Sequence, residues 1–521
     1  MHTKKLSVDD LSILILVCAI LFGAFWRLFP AWLAGFSIND GGMFYTMIQD
    51  LQNNQYRLPA FTSYNHSNIP FVYPPLGFYL GAFLTDLFGL TTPLLIIQWL
   101  PGILNSLTIL AFFFFAKEIT QNKFQSAIAT FVFSFTPHMT SWLSMGGGLT
   151  RSLGVIFMLI ALGFIHRMFV QENRKYIWGA ILFSGLTILS HTESPLYTCI
   201  IAIYIWMMKA RSYKNIVNGF LVGIGALLII SPWLLWVIKT HSFEPLLTAS
   251  QTGLFSSTSF FRILNIDFVT EEPYLDIFGV IGILAIAILI ARKSFFLPGM
   301  LLITFLLMPR SAHTLGNIPL AIASGIFIIE IIFPSISNFQ SLDNGQPKIF
   351  GFLLVLIPFI LGNSLYYSIT LSQHHVSEEN RTAMQWVKEY TPMESLFLVI
   401  TGETNGFCDS TSEWFPTLTS RKSLETLQGN EWVIEKPFSE FIKDNQNLQA
   451  CHQAGLECIL IKSKEQEKSF DYLYIDLSPA TENCEPTNTT IQASNVLREL
   501  EEFPQFETVY ISDEVIVLAH Q

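Results

Sequence analysis

Asp40, in the stretch Ile38-Asn39-Asp40-Gly41-Gly42, follows the first long apolar run and precedes a short helical pattern over 43–51. A positioned carboxylate can remove the proton of a hydroxyl as that oxygen forms a bond, which contributes roughly 10²–10⁴-fold. It can equally cap the helix that follows. Arg151 comes just after the Gly146–Gly148 run, and Arg310 closes an apolar segment at Met308-Pro309-Arg310, near His313. A guanidinium suits bidentate phosphate contacts; at a helix end it also anchors to lipid headgroups. Lys239 and Arg262 are secondary candidates of the same kind. His191 and Glu193 stand two residues apart, between Ser190 and Pro195, where an apolar segment ends. Ionisable groups at membrane depth cost ~2.5–3.5 kcal/mol on insertion scales and face polar cavities. This pair can bind hydroxyls, help hold a metal, or pair with another helix. Tyr45, Tyr64 and Tyr73 offer ring faces for stacking. Asp50 and His66 read as surface residues of their loop, and Glu271-Glu272 as a solvated acidic turn.

The elements that must position these residues are apolar. Hydrophobic residues make up 51% of the 521 and charged residues only 13%, against about 25% in ordinary soluble domains. Residues 1–370 hold 19 Lys+Arg and 15 Asp+Glu, whereas 371–521 hold 10 and 25, so the net charge of −11 divides into +4 and −15. Two segments needing different solvents meet near residue 371. The first apolar run is too long for a signal-peptide core and has no small-residue cleavage site after it, so it reads as a retained span.

Spans of about 20 apolar residues are expected near 11–33, 93–116, 124–142, 149–168, 176–193, 195–208, 215–238, 274–291, 295–309, 312–333 and 348–370. The stretch 75–90, opened by Pro74-Pro75 and carrying Asp86, reads as an interfacial helix and not as a span. On that count, thirteen Lys or Arg residues fall in loops on one side and five on the other. The richer side is expected to be cytoplasmic. The N-terminus is then inside, and the tail lies outside. Loops 34–92 and 239–273 are long enough to be functional or disordered, and the first is not of low complexity. The expected fold is thus an α-helical polytopic membrane protein of about eleven spans.

The tail, 371–521, reads as a soluble α/β domain. NRTAMQWVKEY fits an amphipathic helix; SLFLVIT, ECILIK and YLYIDL read as strands; ETVYISDEVIVLAH reads as a terminal hairpin turning at Ser512-Asp513. Cys408, Cys451, Cys458 and Cys484 form an even set that permits one or two disulfides in an oxidising space. They lack the C-x2-4-C spacing of a zinc site. The acidic balance argues against nucleic acid and against anionic lipid as partners of this domain, and no nucleophile triad is spaced within it. It is expected to cover or shape a site built elsewhere. Asn65-His66-Ser67 and Asn488-Thr489-Thr490 fit the glycosylation pattern.

Asp40, the Tyr45 helix, Arg57-Leu58-Pro59, Tyr73-Pro74-Pro75-Leu76, the basic loop after the next span and Pro137 occur in an order that resembles the GT-C membrane glycosyltransferases. That group includes the protein mannosyltransferases, the lipid A aminoarabinose transferases and the oligosaccharyltransferase catalytic subunits. The resemblance covers roughly residues 10–170. It implies a membrane enzyme of the cell envelope, in the plasma membrane, that moves a sugar from a polyprenyl-phosphate donor to an extracytoplasmic glycan, lipid or protein acceptor. The anomeric carbon is inverted, with Asp40 as general base. Arg310 and Arg151 are the implied donor-phosphate ligands, and Tyr45, Tyr73, His191 and Glu193 the substrate-binding candidates. Two departures stand out. Protein mannosyltransferases carry two adjacent acids where this chain has Asp40-Gly41. The oligosaccharyltransferase metal-binding acids correspond here to Met145-Gly-Gly-Gly-Leu-Thr-Arg-Ser152, which has none, so a divalent metal is possible but not indicated. A transporter or lipid flippase is the main alternative, but the chain shows neither internal repeats nor midplane polar residues. A non-catalytic scaffold of the same fold is the other.

Overall fold

The computed structural model describes residues 7–136, 138–251, 277–335, 346–433, 437–478, 481–482, 485–486, 496 and 498–521. Pro137, Arg262, Glu271, Glu272, Cys484 and Asn488 lie outside them.

All eleven apolar segments contain helix. In chain order the helices are α1 Val8–Ala34, α2 Gly42–Asn53, α3 Leu76–Leu87, α4 Leu94–Thr120, α5 Lys123–Ser134, α6 Ser141–Ser144 and α7 Gly148–Val170. They continue with α8 Ile177–Ser190, α9 Ser194–Lys209, α10 Tyr213–His241, α11 Glu244–Gln251, α12 Ile277–Ala291, α13 Phe296–Leu307 and α14 Ala312–Phe327; Gln346–Ser372 is the last of the bundle. Among the described residues, five stretches are both long and apolar enough to cross a membrane: α1, α4, α7, α10 and Pro309–Ser335. Shorter apolar helices include α3, α9, α12 and α13. The segment expected as one span over 124–142 is interrupted: α5 stops at Ser134, and a 3-10 turn at His138–Thr140 leads into α6. That break brings the chain back toward the start of α7, which carries Arg151.

Local signals explain where the helices begin. Ser7 and Asp10 form a reciprocal cap on α1, and Asn122 and Ser212 accept first-turn N–H groups of α5 and α10. Arg27, 2% exposed, ties three helices together. Its Nε donates to Asn105 Oδ1 at 3.1 Å, and its other nitrogens donate to the Gly23, Ser134 and Phe133 carbonyls. Phe112 stacks on Phe133 alongside, with centroids 4.3 Å apart.

The two ends of the bundle differ in charge chemistry. At one end Lys123 pairs with Asp9, Arg167 with Glu118, and Arg292 with Glu330, which also accepts from Gln125 Nε2. Glu330 therefore lies away from Asp40. The other end gathers the loop after α1, the start of α7, the α8–α9 junction and the α13–α14 junction, and the C-terminal domain sits against it.

That domain is built on a five-stranded sheet of order β2-β1-β3-β7-β6. Its strands are β1 Leu396–Ile400, β2 Lys422–Ser423, β3 Tyr472–Asp476, β6 Phe506–Ile511 and β7 Val515–His520; Thr481–Glu482 (β4) and Glu485–Pro486 (β5) pair separately. β1 is parallel to β2 and β3, and β7 is antiparallel to β3 and β6. The amphipathic helix forms as Glu378–Tyr390, and the terminal hairpin turns at the expected place. ECILIK is not a strand: it lies in the helix Leu456–Glu465. Its buried residues Leu456, Ile459 and Ser463 recur at three- and four-residue spacing, and the Cys451–Cys458 disulfide ties its first turn to the preceding turn. A short apolar run reads alike in strand and helix, and packing on one side decided it. Cys408 is also disulfide-bonded, while Cys18 and Cys199 are free.

Candidate active site

The turn carrying Asp40 is held by backbone approach. Asn39 adopts a φ of 50° and Gly41 a φ of 129°, a conformation open to glycine and strained for most residues. Gly146 passes so close that a Cβ there would lie 1.9 Å from the Asp40 carbonyl oxygen. Its N–H donates to the Ile38 carbonyl at 3.0 Å. The loop 34–41 and the Gly146–Gly148 run are thus laid against each other at the N-terminus of α7.

Asp40 does not cap α2. The N-cap residue is Gly41, with no side-chain cap bond. The carboxylate turns the other way: Oδ1 accepts the Gly147 N–H at 2.8 Å, and Oδ2 accepts from Arg151 at 2.6 Å. Asp40 is 8% exposed. Arg151 is held by a second bond to the Trp142 carbonyl, and its guanidinium lies 5.2 Å from the Trp142 ring centroid. A carboxylate and a guanidinium thus meet at a helix N-terminus, where the helix dipole favours negative charge.

Beside this pair the α8–α9 and α13–α14 junctions meet. Glu193 accepts from the Ser311 hydroxyl and lies 3.7 Å from Arg310 Nε. Arg310 has about half its side chain exposed and stands over the Phe407 ring. His191 Nδ1 is 3.3 Å from Ser194 Oγ. Tyr73 reaches the same region from the long loop, its hydroxyl 3.3 Å from Thr150 Oγ1 and its ring edge-on to Trp432. Burial pushes the Tyr73 phenol up to about 12, so it stays protonated. Tyr45 packs near Trp414 and accepts from Gln49 Nε2 at 3.2 Å.

The other candidates have structural partners or lie elsewhere. The Tyr64 ring is 1% exposed and its hydroxyl donates to the Glu413 carbonyl, so it offers no stacking face. Asp50 accepts three bonds from Thr62 and Ser63 and shapes the loop. His66 Nε2 contacts the Ser420 carbonyl. The Asn65 side chain, expected as a possible glycan acceptor, is buried and exchanges bonds with the Ser423 backbone. Lys239 is exposed in the last turn of α10. Among the described residues, no group of three or more His, Cys, Asp or Glu side chains gathers as a metal site.

Sequence reasoning expected the C-terminal domain to cover or shape a site but named none of its residues that contact the Asp40 turn. Glu413 Oε1 accepts the Gly41 N–H at 2.8 Å, Trp414 Nε1 donates to the Asn39 carbonyl at 3.0 Å, and Thr417 donates to the Gly42 carbonyl. All three belong to the helix Ser410–Thr419. Asn39 in turn donates to the Phe407 carbonyl, and its N–H to the His374 carbonyl. Glu413 is 3% exposed. Burial first, and then the Asp40 charge, hold its carboxyl well above the usual range. Burial raises Glu431 as well, against the attraction of Arg310. The one trace of these residues in the sequence is a repeated Glu-Trp pair, Glu413-Trp414 and Glu431-Trp432.

Residues 72–236 match the family described as dolichyl-phosphate-mannose-protein mannosyltransferase. The match holds Tyr73, Arg151, His191 and Glu193 and begins after Asp40. A search of curated proteins gives no match. Among solved structures, the aminoarabinose transferase ArnT from Cupriavidus metallidurans bound to undecaprenyl phosphate superposes with a TM-score of 0.54 at 12% identity, covering 97% of both chains. The chain has the GT-C glycosyltransferase fold. The archaeal oligosaccharyltransferase AglB from Archaeoglobus fulgidus, in complex with an inhibitory peptide and a dolichol-phosphate, gives 0.54 at 14% identity, over 90% of this chain and 70% of that one. The arabinofuranosyltransferase AftD from Mycobacteria gives 0.57 at 14%, over 99% of this chain and 40% of that one. The family match over residues 72–236 and the shared fold are both those of membrane glycosyltransferases.

Proposed function

We propose that this protein transfers a sugar from a polyprenyl-phosphate donor to an acceptor hydroxyl outside the cytoplasm, inverting the anomeric carbon, with Asp40 as general base. The observation that carries this reading is the buried Asp40 carboxylate at the N-terminus of α7, ion-paired to Arg151 at 2.6 Å. The lipid-phosphate donor is supported by the family match, and by neighbours of the fold whose structures contain undecaprenyl phosphate and dolichol-phosphate.

In this reading the acceptor oxygen forms its bond to the anomeric carbon as the bond to the phosphate oxygen breaks. The hydroxyl proton passes to Asp40, and the electron pair leaves with the polyprenyl phosphate. Negative charge grows on that phosphate, and nearby cations lower the barrier in a site shielded from water. Arg310 is half exposed and able to reach outward, and Arg151 stands next to the base; these two serve the phosphate. A donor phosphate that draws Arg151 away from Asp40 also frees the base. In this reading Tyr45, Tyr73, His191 and Glu193 bind substrate. The loop charges support a cytoplasmic N-terminus and a C-terminal domain outside, and the plasma membrane is the proposed location.

Asp40→Asn tests the base. In the purified full chain, transfer from dolichyl-phosphate mannose is expected to fall by roughly 10²–10⁴-fold, with the fold intact by circular dichroism. Undiminished transfer would remove Asp40 from that role.

A further inference from the structure

The contact between the Asp40 turn and the C-terminal domain includes one buried carboxyl whose role nothing above explains. Glu413 is nearly inaccessible, yet its Oε1 spends a hydrogen bond on the backbone N–H of Gly41, the residue after Asp40. An ordinary apolar contact would bury this surface without desolvating an acid. Gly41 needs an external acceptor because its backbone is in a positive-φ conformation at the start of α2, where helix N–H groups lack intrahelical partners. The neighbouring contacts act on the same few atoms. Trp414 fixes the carbonyl of Asn39, and Thr417 that of Gly42. The domain thus holds the residues on both sides of Asp40.

We propose that Glu413 is a positioning residue for the transfer reaction: the C-terminal domain inserts its carboxyl to lock the turn that aims Asp40 at Gly147 and Arg151. This rests on the reading of Asp40 as the base. The charged and titratable groups around Glu413 are Asp40 and Arg151 from the bundle end and Tyr64 from the long loop, with Asp409 and Glu431 of its own domain also acting on Tyr64. Asp40 repels an ionised Glu413, so the lock works with Glu413 protonated. As pH rises and Glu413 ionises, a second negative charge arrives beside the base.

The test uses the full chain in detergent with Glu413→Ala and Glu413→Gln, read first by amide hydrogen exchange over residues 36–44 and 145–149. Glu413→Ala is expected to raise exchange there by about tenfold, the loss of one buried hydrogen bond. Glu413→Gln keeps an acceptor for Gly41 and recovers most of that protection. In transfer from dolichyl-phosphate mannose, Glu413→Ala lowers kcat with little change in donor KM. Glu413→Gln recovers most of the loss and stays active to higher pH than the parent. Parental exchange in Glu413→Ala overturns the proposal, as do equal kcat losses in Ala and Gln. Should the alanine variant not fold, the Gln profile decides: an alkaline limb at the parental position overturns it. The exchange measurement needs no donor and is separate from Asp40→Asn. If Asp40→Asn transfers normally, the base assignment fails and the catalytic claim for Glu413 fails with it. A fully active Asp40→Asn beside a loosened Glu413→Ala turn would therefore identify which of the two was wrong.

Discussion

Asp409 shows how the burial of acids in the C-terminal domain couples its stability to pH. Its Oδ1 accepts the Ser412 N–H at 2.8 Å, capping the helix that carries Glu413, and its Oδ2 accepts from Thr401. Burial pushes its carboxyl up to about 7, with the nearby Glu403 and Asp476 charges adding to the rise. In an unfolded chain an aspartate titrates near ~3.9. The folded state therefore holds a proton that the unfolded state releases. The stabilisation is complete below about pH 4 and is lost as pH rises through about 7, a change on the order of a few kcal/mol. Asp409→Asn keeps a good cap residue and removes this titration. The thermal midpoint of the full chain, followed by tryptophan fluorescence at pH 5 and pH 8, is expected to differ less in the variant than in the parent. Glu413 and Glu431 are raised in the same direction, so the difference narrows and does not vanish. An unchanged difference would show that Asp409 does not carry it. Asp409 drew no notice in the sequence because its burial, and the approach of Asp476 from β3, come only with the folded domain.

At the scale of elements, the Gly146–Gly148 run is what lets the loop after α1 lie against the start of α7. A methyl on Gly146 would meet the Asp40 carbonyl oxygen at 1.9 Å and Gly41 Cα at 2.7 Å, so backbone must move. Gly146→Ala is expected to reduce transfer from dolichyl-phosphate mannose by about tenfold or more, in line with the cost of small misplacements, and to loosen the Asp40 turn by hydrogen exchange. Gly223 of α10, with nothing within 4 Å of its added Cβ, is the control: Gly223→Ala should be neutral or raise stability by up to about 1 kcal/mol. Equal behaviour of the two variants would sink the close-approach argument. Much at this scale was legible. The 3.6-residue pattern marked Glu378–Tyr390, and the two-residue alternation and turn residues marked the β6–β7 hairpin. The run ECILIK was misread because four or five apolar residues carry no period, and the break after Ser134 was hidden inside a continuous apolar stretch.

The whole molecule is a bundle with two chemically different ends and a domain capping one of them. If the Lys- and Arg-rich end faces the cytoplasm, a cysteine at Asp513 should react in intact cells with a membrane-impermeant maleimide, and one at Glu172 only after permeabilisation. Both positions are exposed in the fold, so the reverse pattern would invert the topology. Loop charge predicts this orientation without any structure, because each cation contributes locally to membrane insertion and the contributions accumulate along the chain. Composition likewise separated the apolar bundle from the acidic domain, and residue order brought out Asp40, Arg151, Arg310, His191 and Glu193. The tertiary structure decided what Asp40 does with its two oxygens: it turns from the helix it could have capped to Gly147 and Arg151. It also decided that an acid 372 positions from Gly41 stands behind that turn. Hydrogen bonds act over about 3 Å, and no pattern along the chain reports which distant residue will come within that reach.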